Sequence, residues 1–383
     1  MINKENVEIL KTDIEIIDGD RGNNYPKKEE FSSEGYCLFL NTGNIINDKF
    51  SLSDCAFITE QKDNTLRKGK LKREDIILTT RGTVGSVAFY NDNIAYENIR
   101  INSGMVILRC HNEYLPEYLY QVLKSKNIKK QFELFSSGAA QPQLPIKSLV
   151  HIKLPRIELS KQKNISSILG TYDKIIDNNH RRIELLEKSA ELLYKEWFVR
   201  LKFPGYEHTE IKNGVPEGWE KGTIGDIIEL KYGKSLKADK RENGDILVYG
   251  SSGVIGTHKE AISKGPGIIL GRKGNAGSVF WSQVDYYPID TTYYISNEQT
   301  SPYLYYNFKN QDFQSSHGAV PGLNRDYAYS KTVLVPENNI FNKFNEIVYT
   351  TRKQIYNLEI INNKLSYARD LLLPKLINGE IEV

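Results

Sequence analysis

Cysteine is scarce in this sequence, and its scarcity narrows the setting in which the chain works. Among 383 residues there are three cysteines, Cys37, Cys55 and Cys110, and their spacing fits no metal-ligand pattern. An odd number of cysteines cannot pair completely, and small disulfide scaffolds use even, closely spaced sets. The sequence therefore predicts a reducing, cytoplasmic environment and no disulfide framework.

Long apolar runs are also missing. No stretch approaches the roughly 18 consecutive apolar residues of a membrane-spanning helix, and the residues after Met1 lack the apolar core of a secretion signal. We therefore expect neither membrane insertion nor secretion. The net charge of +3 is too small to indicate a nucleic-acid-binding protein by itself.

The familiar signatures of catalysis are absent as well. Gly233-Lys234-Ser235 resembles the end of a phosphate-binding loop, but Ile228 stands where that loop requires its first glycine. The six histidines form no His-Glu-x-x-His zinc motif, and no dinucleotide-binding glycine pattern follows a strand. The Asn-Pro-Pro-aromatic and Asp-Pro-Pro-Tyr tetrapeptides of DNA amino-methyltransferases are missing too. The sequence favours a non-catalytic chain without a cofactor of its own.

What the sequence does contain is an internal repeat, most visible in two long helical patterns. Apolar positions spaced alternately by three and four residues predict helices over 160–200 and 340–377. The predicted seam comprises Leu169, Tyr172, Ile176, Asn179, Ile183, Leu186, Ala190, Leu193 and Trp197 in the first helix, and Val348, Thr351, Ile355, Leu358, Asn362, Leu365, Arg369, Leu372 and Leu376 in the second. We predict that the helices pair as an antiparallel coiled coil, because this direction places the two seam asparagines opposite each other.

Each predicted helix follows a globular domain. The predicted boundaries are 1–155 for the first domain, 156–205 for the first helix and its connection, 206–336 for the second domain, and 337–383 for the second helix and tail. Short β-rich runs at 36–40, 75–80, 104–109, 246–249 and 267–270, with helices opening at Pro116 and Pro302, make both domains mixed α/β. The whole chain then has a pseudo-twofold repeat.

A glycine-punctuated turn recurs in both domains. Arg81-Gly82-Thr83-Val84-Gly85-Ser86 in the first corresponds to Lys273-Gly274-Asn275-Ala276-Gly277-Ser278 in the second, and residues 136–144 likewise correspond to 315–323. The plain interpretation is a hairpin whose glycines only permit a tight turn. Because the basic residue and both glycines recur, we favour a loop tip that approaches phosphates or base edges.

Basic runs precede these turns at 62–73 and 231–241. A solvated basic surface is the alternative for each run, and a polar loop cap is the alternative for Gln141, Asn324 and Arg325, but repetition in both domains favours a shared polyanion. The predicted DNA-contacting residues are Lys70, Lys72, Arg73, Thr79, Thr80, Arg81, Gly82 and Gln141 in the first domain, and Lys234, Lys237, Arg272, Lys273, Gly274, Asn324 and Arg325 in the second.

Together these features resemble the specificity subunit of type I restriction-modification systems. The resemblance rests on the repeated turns, on Pro216-Glu217-Gly218-Trp219 at the entrance of the second domain, on the helix end at Trp197-Phe198, and on the tail from Leu372 to Ile381. In that family, two target-recognition domains each read half of a split DNA sequence, and two long helices pair as a spacer. The first domain lacks the Pro-Glu-Gly-Trp entrance, which leaves the anchoring of its N-terminus open.

The resemblance implies partners that supply the chemistry. They are double-stranded DNA, two copies of a methyltransferase subunit that carries S-adenosylmethionine and, in a complete system, restriction subunits that use ATP and Mg²⁺. Lys188, Lys195 and Glu196 on the first helix are the predicted partner contacts. A stiff helix pair also suits a bipartite site, because two readers must stand at a fixed distance along the duplex. The alternatives are a coiled-coil interaction protein without a DNA role and a divergent DNA-modifying enzyme.

Overall fold

The computed structural model describes residues 5–138, 141–313 and 322–382, which fold into two compact units. Unit 1 comprises Met1–Asp177 and Asn363–Val383, and unit 2 comprises Asn178–Asn362. The predicted domains ended before the long helices, whereas each of these units includes part of both helices. The reason is that each globular core packs on its own stretch of helix.

Unit 1 is a mixed α/β domain, as predicted. Its strands are β1 (Glu5–Glu8), β2 (Glu15–Asp18), β3 (Cys37–Leu40), β4 (Ile45–Ile46), β5 (Lys49–Phe50), β6 (Phe57–Ile58), β7 (Ile76–Thr79), β8 (Val87–Phe89), β9 (Ile99–Ile101), β10 (Met105–Arg109) and β11 (Lys153–Arg156). Its helices are α1 (Glu60–Thr65), α2 (Pro116–Lys124), α3 (Lys126–Phe135), α4 (Ile146–Leu149) and the first part of α5 (Leu159–Tyr194). The predicted runs at 36–40, 75–80 and 104–109 coincide with β3, β7 and β10.

The central strands of unit 1 are buried on both faces. One antiparallel sheet has the order β2–β10–β7–β8, and a second has the order β6–β3–β9, in which β3 and β9 run parallel. Along β7, Ile76 and Leu78 face a core completed by α2 and α3, while Ile77 faces the core of the second sheet. This double burial explains why β7 is a continuous apolar run in the sequence.

The N-terminus of unit 1 is anchored by strand pairing. Strand β1 pairs antiparallel with β11, with Asn6 opposite Pro155 and Val7 opposite Leu154. The sequence left this anchoring open because the first domain lacks the Pro-Glu-Gly-Trp entrance. The pairing supplies the same connection between the start of the domain and the strand before the long helix that unit 2 makes.

Unit 2 repeats this architecture. Its strands are β12 (Ile211–Lys212), β13 (Val215–Pro216), β14 (Glu220–Thr223), β15 (Lys231–Tyr232), β16 (Ile246–Gly250), β17 (Gly253–His258), β18 (Gly267–Gly271), β19 (Val279–Ser282), β20 (Tyr286–Pro288), β21 (Thr292–Ile295) and β22 (Thr332–Val335), and its helices are α6 (Ile224–Ile227), α7 (Pro302–Asn310), α8 (Arg325–Tyr329) and the first part of α9 (Asn338–Asn378). The sheets run β15–β21–β18–β19 and β17–β16–β20, the second again with a parallel pair, and β14 pairs with β22. Strand order therefore confirms the internal repeat.

The long helices agree closely with their predicted bounds. Helix α5 continues into a π-helical turn at Lys195–Val199, so that the helical segment ends where the sequence predicted, and α9 extends the second prediction slightly at both ends. Every predicted seam side chain is buried or half-buried. No helix in the described part of the chain is both long enough and apolar enough to cross a bilayer.

Within unit 2, the two helices run antiparallel. The Asn179 side-chain amide donates to the Asn362 carbonyl oxygen at 2.8 Å, and Arg352 pairs with Glu187 at 2.9 Å. Since the residue numbers rise along α5 as they fall along α9, the direction is antiparallel, and the predicted asparagine pair is confirmed. Within unit 1, Arg369 of α9 bonds to Asp173 of α5 at 2.6 Å.

Candidate nucleic-acid interface

The glycine turn is built from the same main-chain bonds in both units. In unit 1 it follows β7, and the Thr80 amide donates to the Gly104 carbonyl at 2.8 Å. In unit 2 it follows β18, and the Arg272 amide donates to the Thr291 carbonyl, also at 2.8 Å. The repeated sequence therefore folds into one repeated loop at the same end of equivalent strands.

A second segment lies beside each turn. The Leu144 amide donates to the Thr80 carbonyl at 2.9 Å, and the Leu323 amide donates to the Arg272 carbonyl at 2.8 Å. These bonds bring residues 141–144 against the turn of unit 1 and residues 322–323 against that of unit 2. Residues 139–140 and 315–321 of the repeated segments lie outside the described residues. The glycine turn and the second segment thus form a single candidate site in each unit.

The inner glycine of each turn is required by conformation and by space. Gly85 has φ of +87°, and an added Cβ would lie 2.9 Å from Phe132 Cδ2. Gly277 has φ of +84°, and its added Cβ would lie 2.9 Å from Phe313 Cβ. A left-handed backbone pressed on an aromatic side chain admits only glycine. The turn is therefore rigidly seated on the core of its unit.

Two predicted contact residues, Thr79 and Thr80, support the turn from inside. Both are buried, at 0% and 4% exposure. The Thr79 hydroxyl donates to the Thr83 carbonyl and accepts from the Ser86 amide at 3.0 Å, and the Thr80 hydroxyl donates to the Gly104 carbonyl at 3.0 Å. The hydroxyls expected to reach DNA are thus engaged within the loop, because the strand that carries them is buried on both faces. Arg81 and Gly82, which follow, are exposed.

Part of the basic run of unit 1 is engaged in internal bonds. Lys70 Nζ lies 2.5 Å from Asp63, whose carboxylate also binds Arg100. Arg73 donates to the carbonyls of Asn91 and Ile94. Lys70 and Arg73 therefore have partners within unit 1 that the sequence did not reveal, but the Lys70 side chain is still exposed, and contact of both residues with DNA remains a prediction.

The remaining candidates in unit 1 face solvent. The side chains of Lys72 and Gln141 are exposed. Gln141 thus lies near the exposed Arg81, because the segment 141–144 is bonded to the turn. Contact between Gln141 and DNA therefore remains a prediction, which its proximity to Arg81 supports.

In unit 2, some basic candidates are exposed and others are half-buried beside a tyrosine ring. Lys234, Lys237, Lys273 and Gly274 are exposed. Arg272 and Arg325 are half-buried, and each guanidinium carbon lies 5.0 Å from the ring centroid of Tyr232. Asn324 accepts from the Asp326 amide at 2.7 Å and caps α8, so the polar-cap alternative describes this residue.

Tyr232 and Tyr293 are residues that sequence reasoning missed. Their rings meet edge to face at 5.1 Å, and the Tyr293 hydroxyl donates to the Leu323 carbonyl at 3.1 Å. Burial raises the pKa of Tyr293, so its hydroxyl stays protonated as a donor. The alternation of tyrosine with lysine and glycine at 231–234 was the available signal, since aromatic residues among basic ones are typical of nucleic-acid surfaces.

Among the described residues, the basic side chains at the turns lack acidic partners. In the described part of the chain, no carboxylate forms an ion pair with Arg81, Arg272, Lys273 or Arg325. The same residues include no cluster of His, Cys, Asp or Glu that could hold a metal ion. The geometry therefore suits recognition of an anion or of base edges at each turn.

The candidate partner contacts on α5 are less available than expected. Lys188 is exposed, but Lys195 pairs with Glu191 at 2.5 Å, and Glu196 pairs with Arg200. These are pairs one helical turn apart, the spacing at which helix side chains meet. Among the three predicted contacts, Lys188 is the one without an ion pair to a described residue.

Comparison with known proteins decides the family. Residues 7–188 and 216–326, more than half of the chain, match the family described as Type I restriction modification DNA specificity domain. The chain belongs to this family. The members of this DNA-specificity family recognise DNA for type I restriction-modification systems, so the chain is a recognition subunit and not an enzyme.

Curated relatives of this DNA-specificity chain carry the same description. It is 26% identical over 342 residues to the type I restriction enzyme MjaIX specificity subunit of Methanocaldococcus jannaschii, covering 80% of this chain and 78% of the relative. It is 22% identical to the HindI specificity subunit of Haemophilus influenzae, covering 95% and 98%. The fold matches a type I restriction-modification S subunit from M. genitalium with a TM-score of 0.56, 18% identity and coverage of 98% and 96%.

Proposed function

We propose that unit 1 and unit 2 each read one half of a bipartite DNA sequence. The observation that carries this proposal is the repeated turn, which presents exposed Arg81 in one unit and exposed Lys273 in the other from equivalent main-chain positions. Two similar loops on one chain suit two contacts with one duplex, because the second contact becomes intramolecular. Side chains at the turns differ between the units, which supports two different half-sites.

The chemistry belongs to partner subunits in this proposal. Two copies of a methyltransferase subunit, each carrying S-adenosylmethionine, bind the duplicated chain in the cytoplasm, since a repeated chain offers two similar surfaces to identical partners. Restriction subunits using ATP and Mg²⁺ complete the system where they are present. The chain itself holds no cofactor in this assignment.

Sequencing of methylated bases tests the proposal. Cells that express this chain with its methyltransferase partner are compared with cells from which the chain has been deleted. We expect a two-part methylated motif that disappears on deletion. A motif that persists without the chain, or a methylated motif with one continuous part, contradicts the assignment.

Purified proteins separate recognition from the two alternatives. The isolated chain with S-adenosylmethionine should transfer no methyl group to DNA, and transfer without a partner would support the divergent enzyme. An Arg81→Ala, Lys273→Ala double variant should bind the specific duplex more weakly in the assembled complex. Unchanged DNA retention by that variant would favour an interaction protein without a DNA role.

A further inference from the structure

The aromatic and basic cluster in unit 2 consists of Tyr232, Tyr293, Arg272 and Arg325. The guanidinium carbon of Arg272 lies 5.0 Å from the Tyr232 ring centroid and 5.7 Å from that of Tyr293. That of Arg325 lies 5.0 Å from the Tyr232 ring and 5.8 Å from that of Tyr329. Two cations therefore share one aromatic ring, which is itself 47% exposed.

The cluster is held in place by bonds to the main chain. Besides the Tyr293 bond to Leu323, the Tyr329 hydroxyl accepts from the Leu230 amide at 2.9 Å. Arg272 Nη1 donates to the Asp290 carbonyl at 3.2 Å. These bonds fix the flanking rings and Arg272, so the surface that Tyr232 and Arg325 present has a defined geometry.

The described residues of unit 1 contain no equivalent of this cluster. Cross-strand partners align the two units: Tyr293 lies opposite Tyr232 and Leu270 in unit 2, just as Val106 lies opposite Asp18 and Leu78 in unit 1. The alignment continues through the turn, which contains Arg272, and through the short helix α8, which begins at Arg325. Tyr232, Tyr293, Arg272 and Arg325 thus correspond to Asp18, Val106, Thr80 and Ile146. Four substitutions on a common scaffold indicate that the cluster serves unit 2 alone.

Of the two guanidinium groups in the cluster, that of Arg325 makes fewer hydrogen bonds to described residues than that of Arg272. It donates no hydrogen bond to a described residue, and its Nε is buried without a partner there. Like charges gathered on one ring without a carboxylate raise the free energy of the unbound surface unless a ligand supplies acceptors. The guanidinium fork matches two acceptors held side by side, whether on a phosphate or on a base edge. Because phosphate contacts carry no sequence information and this cluster occurs in unit 2 and not at the equivalent described positions of unit 1, a base is the favoured ligand.

We propose that Arg325, held on the Tyr232 ring, reads a guanine in the half-site of unit 2. Guanine presents two acceptors, O6 and N7, side by side in the major groove, and these match the arginine fork. Arg272 is a positioning residue that holds the other side of the cluster. This inference rests on the proposed function and names the base that one half of the target contains.

The test uses the assembled complex of the chain with its methyltransferase subunits. Methylated-base sequencing first defines the two-part motif, and competition binding then compares duplexes in which each base pair is changed singly. We expect Arg325→Lys to lose roughly 5- to 150-fold of discrimination at one G·C pair, in one half only. Tyr232→Leu should relax the same base pair, and Tyr232→Phe, which keeps the ring, should retain the preference.

Tyr206→Leu is the matched control, because Tyr206 is another exposed tyrosine of unit 2, at 37%. It should leave both halves of the motif unchanged, and thermal unfolding confirms that each variant is folded. A uniform loss of affinity for all duplexes, with a smaller salt dependence, would identify a phosphate contact and overturn the inference. An unchanged preference in Arg325→Lys would overturn it too. A wild-type complex without a two-part motif would instead overturn the proposed function, and this inference with it.

Discussion

Arg81 and Lys273 stand at the same position of two turns whose main chains are bonded alike. Arg81 is paired through its backbone with Gln143, and Lys273 with Gly322. Because the backbone is fixed, substitution of either side chain should change the contact without moving the loop. The two residues therefore offer independent tests of the two half-sites.

Arg81→Ala should weaken or relax recognition of one half-site by about 1–3 kcal/mol if the side chain contacts a base. Lys273→Ala is the companion change and should affect the other half. Competition binding with duplexes altered in one half at a time measures both effects. A loss shared equally by both halves in either variant would show that the turn is not assigned to a single half-site.

Gly85→Ala should destabilise unit 1 by roughly 2 kcal/mol or more, because it places a methyl group at a left-handed residue against Phe132. The control is Gly170→Ala in α5, where an added Cβ meets nothing within 4 Å and helix propensity favours alanine by about 0.5–1 kcal/mol. Thermal unfolding of both variants gives the comparison. Equal midpoints for the two would show that the turn is not seated as described.

In unit 2, a buried pair of asparagines contributes to the alignment of the two helices, in addition to the pair of Arg352 with Glu187. Asn179 and Asn362 are both buried, and the Asn179 nitrogen donates to the Asn362 oxygen, whereas the Asn362 side-chain nitrogen has no partner among the described residues. A buried amide pair stabilises less than two apolar side chains but disfavours alignments that separate it. The asparagine pair thus fixes the alignment of the two helices more than it stabilises them.

The asparagine pair predicts non-additive substitutions. Asn179→Leu should destabilise by about 1–3 kcal/mol, because it leaves the Asn362 amide buried without a partner. The double change to leucine should restore or exceed the wild-type midpoint. A double-mutant cycle by thermal unfolding gives the coupling energy, and simple additivity would contradict the pairing.

In unit 1, the helices are joined through a charged network around Asp173. Its carboxylate bonds to Lys124 at 2.9 Å, to Gln121 at 2.6 Å and to Arg369 at 2.6 Å. Burial opposes ionisation of Asp173, but Lys124, Gln121 and Arg369 outweigh it and hold its pKa below the usual value. The carboxylate is therefore charged throughout the neutral range.

This network makes unit 1 sensitive to acid. Since the folded pKa of Asp173 lies below the unfolded value of roughly 4, its stabilisation is complete above that pH and is lost as pH falls through the folded pKa. Asp173→Asn should lower the free energy of unfolding by roughly 3 kcal/mol at neutral pH. It should also reduce the further loss of stability as the pH falls. Asp177→Asn, which alters an exposed pair with Lys49, should cost under about 1 kcal/mol. If Asp173→Asn lost as much stability at acid pH as the wild type does, Asp173 would not be the source of the acid sensitivity.

Elements with a strong period could be predicted from the sequence, and those held by distant partners could not. Both long helices and the central strand β7 were predicted because their apolar residues follow a regular spacing or form a continuous run. The helix that opens at Pro116 was predicted, but not the break at Ser125, whose side chain caps α3 by accepting from the Ile128 amide. The burial of Thr79 and the ion pair of Lys70 depend on residues brought near only by folding. The Tyr232 cluster was missed for the same reason.

At the scale of the whole molecule, the duplication predicts the composition of the complex. Two methyltransferase subunits should bind each chain, because the repeated halves present two similar surfaces. Mass measurement of the purified complex gives the ratio directly. One partner per chain at saturating partner concentration would contradict the prediction.

Lys188→Glu should weaken binding of the methyltransferase subunit without affecting the fold of the chain.

The turn described in both units also has an evolutionary consequence. In both units, bonds from main chain to main chain join the turn to the neighbouring segments, and these bonds do not depend on which side chains occupy the outer positions. Mutation can therefore rewrite the DNA preference of one unit without a loss of foldability and without altering the other unit. The contrast between Asp18, Thr80 and Ile146 in unit 1 and Tyr232, Arg272 and Arg325 in unit 2 is the divergence that such freedom permits between copies of one ancestral domain.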